Sequence, residues 1–174
     1  MSVSLYDVSV GTYLQVLGGV AGFLDKGAAH CQAKGIDLKE VVETRLYPDM
    51  LPFRFQVISV AHHSLGAIKG VQAGVFTPPS GPADADYATL QKLIADTRAE
   101  LQKLDRKAVE ALQGKDVVFQ LGERKMPFIA ENFLLTFSLP NFYFHATTAY
   151  DILRMKGTPI GKRDFMGMPR MKGA

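Results

Sequence analysis

Apolar side chains recur at helical spacing over long stretches of this chain, and that period limits the folds open to it more than any other feature. From about Tyr6 to Lys34 the set Val10, Tyr13, Leu14, Leu17, Ala21, Leu24 and Ala28 falls on one helical face. From Pro52 to about Ala73, Val57, Val60, Ala61, Leu65, Ile68 and Val71 repeat the pattern. Leu90, Leu93, Ile94, Thr97, Leu101, Leu104 and Ala108 mark a third helix with charge on its outer face, and a fourth is predicted from about Pro140 to near Gly157. Pro48 and Pro52 break the chain before the second helix, and the connector TPPSGPADAD breaks it before the third. Within KDVVFQLGERKMPF, residues 117–120 and 125–128 read as two short extended pieces around Gly122. The pattern predicts a mainly all-α chain: four long helices, with a small β-hairpin between the third and fourth.

Gly18, Gly19 and Gly22 weaken the first helix intrinsically, so a neighbouring helix is expected to pack closely there. At 174 residues and 47% hydrophobic, the chain has the length and composition of one globular domain, taken as 1–174. From about residue 157 the Gly- and Pro-rich end is expected to be an irregular, basic tail. Residues 154–174 carry six Lys/Arg against Asp164 alone, leaving the first 153 at −2, so no nucleic-acid-binding face is indicated. The tail is either a solvated or packed segment or an anion contact through Lys162, Arg163 and Arg170. The first residues do not resemble a secretory signal, and Gln15, Glu131, Asn132 and Pro140 interrupt the most apolar runs, so no membrane span is expected. A lone cysteine, Cys31, excludes an internal disulfide and any CxxC motif, and fits the cytoplasm.

The chemistry-bearing residues are few. In LPNFYFHATTAYDILR, His145 shares a helical face with Phe142, Ala149 and Ile152 and a polar stripe with Asn141 and Thr148. On the second helix His62 and His63 diverge by about 100°, so at most one points toward His145. His63, sharing an edge with Gln56, is favoured, with His62 the alternative. Metal sites need about three converging ligands, commonly with a histidine pair at i, i+4; the position four after His145 is Ala149. No nucleophile elbow, P-loop or dinucleotide fingerprint is present.

Together RLYPDMLPF, LPNFYFHATTAYDILR and GKRDFMG resemble a bacterial family of unknown function grouped with the DinB/YfiT-like bundles, a superfamily regarded as metalloenzymes. The resemblance spans nearly the whole chain. It implies an up-down-down-up four-helix bundle, often dimeric. Metal-binding members use one histidine on the second long helix and an HxxxH pair on the fourth. Position by position, His62 or His63 matches the first ligand, His145 the first of the pair, and Ala149 the last. The departure at Ala149 weighs against a three-histidine nickel or zinc centre and the thiol-dependent chemistry of other members.

Two readings follow. In the first, a polar pocket between the second and fourth long helices serves a metal-dependent enzyme. Its divalent ion is nickel, zinc or iron, its ligands are His63 and His145 with His145 also as catalyst, and Gln56, Asn141 and Thr148 contact substrate. In the second, the chain is a non-catalytic module that holds a small molecule or a second copy of itself. Convergence of His63 and His145 on an open cleft would favour the first. A His145 sealed by aromatic rings and hydrogen-bonded once would favour the second.

Overall fold

The computed structural model describes residues 3–81 and 84–172. After the short α1 (Leu5–Val8), α2 (Val10–Lys34) runs for 25 residues and stops where Gly35 turns left-handed at φ 65°. Ile36 N–H then reaches the Cys31 carbonyl at 2.9 Å and Gly35 N–H the Gln32 carbonyl, which closes the orphan carbonyls of the last turn. Asp37 caps α3 (Leu38–Glu43) through Lys39 N–H. The second long helical run comprises α4 (Phe53–Ala61), a π-helical turn (His62–Gly66) and α5 (Ala67–Ala73). Asp86 caps α6 (Tyr87–Gln102) and Asp105 caps the short α7 (Arg106–Glu110), each by accepting from the N–H three residues on.

The fourth long run begins ten residues earlier than Pro140 suggests: α8 (Ala130–Asn132), a second π-helical stretch (Phe133–Ser138) and α9 (Leu139–Met155) follow one another without a break. A proline inside an α-helix lacks a donor and crowds the carbonyl one turn back. The wide π stretch immediately before Pro140 relieves that crowding, so the helix passes through the proline rather than starting at it.

The hairpin forms as expected from β2 (Asp116–Leu121) and β3 (Arg124–Ile129), with Leu121 paired to Arg124. Gly122 carries the positive φ of 56° that the first position of a type II′ turn requires. A two-residue strand, β1 (Val75–Phe76), adds in parallel to β2 and makes a three-stranded sheet in the order β1-β2-β3. Two residues carry too little alternation to be seen in sequence.

In the core, α2 packs on α6, α6 on α4, α4 on α9, and α9 back on α2. The largest side chains sealed between them include Tyr13, Phe23, Phe53, Phe133 and Phe142. Tyr13 meets Phe142 edge-on at 5.0 Å, and Phe53 stacks on Tyr87 at 5.7 Å.

The tail is less irregular than expected. α10 (Lys162–Met166) lies on α2, where Gln15 donates to the Met166 carbonyl and Lys26 pairs with Asp164. A Cβ at Gly19 would collide with the Phe165 carbonyl, so this glycine is what permits the approach. Gly22 has open space instead. Among the described residues no helix is long and apolar enough to cross a membrane.

Candidate functional site

The π turn places His63 inward and His62 outward. His63 is 6% exposed and stacks nearly parallel to His145 of α9, with ring centroids 5.8 Å apart and planes 17° from parallel. His62 instead donates Nε2–H to the Thr77 carbonyl at 2.7 Å and lies flat on Phe76 at 4.3 Å. Of the adjacent histidines, His63 is therefore the neighbour of His145.

Gln56 fixes the protonation geometry of His145. Its Nε2 donates to the Leu51 carbonyl at 2.7 Å, which leaves Oε1 facing His145 Nδ1 at 2.7 Å. An amide oxygen only accepts, so His145 Nδ1 carries the proton and Nε2 keeps its lone pair. Phe55 and Phe144 flank the same ring edge-on at 5.8 and 5.3 Å. Burial pulls the His145 pKa down to about 4. For His63 burial, followed by the charges of His62 and His145, pulls it to about 3. Both rings are neutral at pH 7. His63 Nδ1 is buried without a hydrogen-bond partner.

The other residues expected at the site are engaged elsewhere. Asn141 donates to the Phe137 carbonyl at 2.7 Å and Thr148 to the Phe144 carbonyl at 2.8 Å, each tied to its own helix one turn back. Ala149 is fully buried. Among the described residues no group of three or more His, Cys, Asp or Glu side chains is arranged to hold a metal ion. Two imidazoles and an amide do not make the donor set of a three-histidine centre. The clefts beside α4 are lined by His62 and by Phe55, not by His63 or His145. The cleft at His62 lies between the second and third long helical runs, on a different side from the pocket expected between the second and fourth.

Sequence reasoning missed the support beneath the pair. Ser138, at the end of the second π stretch, donates to the His63 carbonyl at 2.7 Å and accepts from Tyr13 Oη at 3.1 Å. All three groups are buried, and burial pushes the Tyr13 hydroxyl pKa well up. π turns redirect backbone carbonyls and recur at functional positions, but an isolated serine in an apolar helix gives no signal of one.

Comparison with curated proteins finds no match. Among solved structures, a DinB family member protein from Shewanella denitrificans superposes with a TM-score of 0.79 at 23% identity, covering 98% of this chain and 96% of that one. At that identity the likeness speaks for the fold alone. Residues 5–166, from α1 to the end of α10, match the family model described as Domain of unknown function (DUF1993), and the chain belongs to that family.

Proposed function

We propose that this chain is a non-catalytic, small-molecule-binding module of the cytoplasm, a single domain built on an up-down-down-up four-helix bundle in which the histidine pair is a structural hub. The observation that carries the reading is the environment of His145. It makes one hydrogen bond, to Gln56, and sits among Phe55, Phe144 and His63, with buried Ala149 where a third ligand would stand. The closed ring of α2, α6, α4 and α9 supports the bundle topology. Elemental analysis of protein purified without affinity tag or chelator, beside His145→Ala, tests the reading. Metal-free, folded wild type is expected. Stoichiometric nickel, zinc or iron that is lost in the variant would overturn it.

One observation favours a second reading, a two-histidine metal site completed by water. His63 Nδ1 is buried without a hydrogen-bond partner, His145 Nε2 keeps its lone pair, and Gln56 holds the distal nitrogen of His145 as outer-shell groups hold metal-bound imidazoles. The same analysis decides between the two. A homodimer is part of the proposal, with the exposed neighbours Tyr143 and Phe144 of α9 as its contact.

A further inference from the structure

We infer that the cleft between the α4–α5 run and α6 binds a small amphipathic anion, an apolar body carrying one carboxylate, with the carboxylate at Lys69. This rests on the binding-module reading and assigns it a place and a ligand class.

The cleft holds about 270 Å³, near the lower end of ordinary small-molecule sites. Its walls are Ile58, Leu65 and Leu93, and its roof is the connector through Pro79. Two contacts hold that roof. His62 is bonded to the Thr77 carbonyl, and Gly81 sits so close to Ile58 that a Cβ there would approach its methyl groups to 2.9 Å. Leu65 and Leu93 are half-buried against the core and leave the rest of their surface to the cleft. Apolar walls under a fixed roof suit a hydrocarbon body, which gains by leaving water.

The charge is one-sided. Lys69 is the only Lys or Arg among the lining residues, and no Asp or Glu lines the cleft. His62 contributes a neutral ring, because burial lowers its pKa below the ordinary histidine value. Across on α6, Glu100 feels the charge of Lys69 but is itself bonded to Lys103 at 2.5 Å. Lys69 makes no ion pair among the described residues. A carboxylate at the Lys69 end of an apolar slot completes the charge balance the cleft lacks, through a charge-assisted hydrogen bond.

Calorimetric titration with decanoate and with decanol tests this, on wild type, Lys69→Met and Leu93→Gln. The expected result is saturable binding of decanoate, weakened about tenfold by Lys69→Met, the size of one lost charge-assisted hydrogen bond. Leu93→Gln should weaken decanoate and decanol alike. Equal affinity for the two probes in wild type would overturn the carboxylate assignment. Binding indifferent to Lys69→Met and Leu93→Gln would overturn the cleft assignment while leaving a binding module in place, and absence of binding by either probe would overturn the ligand class. Failure of the binding-module reading itself would show instead as stoichiometric metal in the elemental analysis.

Discussion

Replacing Ser138 by alanine should cost far more stability than the loss of one oxygen atom suggests. Serine and alanine differ little in volume, so packing is preserved. What changes is the partner of Tyr13, whose hydroxyl is fully buried and donates only to Ser138. Its orphaning costs about 1–3 kcal/mol, and loss of the bond to the His63 carbonyl adds about 0.5–1.5 kcal/mol. Tyr13→Phe alone removes the hydroxyl and leaves the Ser138 bond to His63 intact, so it should cost about 0.5–1.5 kcal/mol. The double variant contains no orphaned hydroxyl and should be no less stable than Ser138→Ala by itself, a coupling of about 1 kcal/mol or more in a double-mutant cycle. Urea unfolding of the four proteins measures this, and in thermal unfolding the Ser138→Ala Tm should fall by roughly 4–8 °C for a loss near 2 kcal/mol in a chain of this length. Additive single effects, or a Ser138→Ala cost below about 0.5 kcal/mol, would refute the relay from Tyr13 through Ser138 to the π turn.

Stability should decline on acidification from about pH 6.5 toward pH 3. The unfolded histidines take up protons near 6.5 while buried His145 and His63 resist until about 4 and 3, so the unfolded state binds more protons across that window. His145→Phe should flatten the slope measured by denaturation at stepped pH. Gln56→Leu removes the acceptor for His145 Nδ1–H, and nitrogen-detected NMR of the imidazoles should then show the fixed tautomer replaced by a mixture. Gly19→Leu drives a side chain into the backbone at Phe165 and should cost about 1–3 kcal/mol or expel α10, read as faster proteolysis near residues 160–170. Phe144→Glu should shift a homodimer to monomer in light scattering, since residue 144 is 55% exposed beside exposed Tyr143.

The helices and the hairpin were legible because each buries one face at a regular period and each break carries a proline, glycine or capping aspartate. Asp86 caps the start of one helix and Gly35 ends another. Pro140 misled for a local reason: a proline ordinarily marks a first turn, and only the preceding π stretch reconciles it with a helix interior. The pairing of His63 with His145 was accessible from helical geometry, whereas the bonds of Asn141 and Thr148 to the carbonyl one turn back reflect how short polar side chains satisfy themselves on their own helix. Strand β1 and the contact of α10 with Gly19 depend on partners distant in sequence, which no local pattern encodes.

A π turn holds one residue more than the α-helical turn it replaces, so His62–Gly66 behaves as a single-residue insertion absorbed within a helix. A relative one residue shorter there would keep both flanking helices and lose the bulge that turns the His63 carbonyl toward Ser138. Aligning such a chain through the helix without a gap would set His63 opposite a residue that faces another way, and a ligand position would seem to vanish or appear by arithmetic alone. Deleting Leu65 makes the same change deliberately. The shortened protein should retain its helical circular dichroism, while Ser138→Ala costs it less than it costs the parent chain, because only the Tyr13 share of the loss remains.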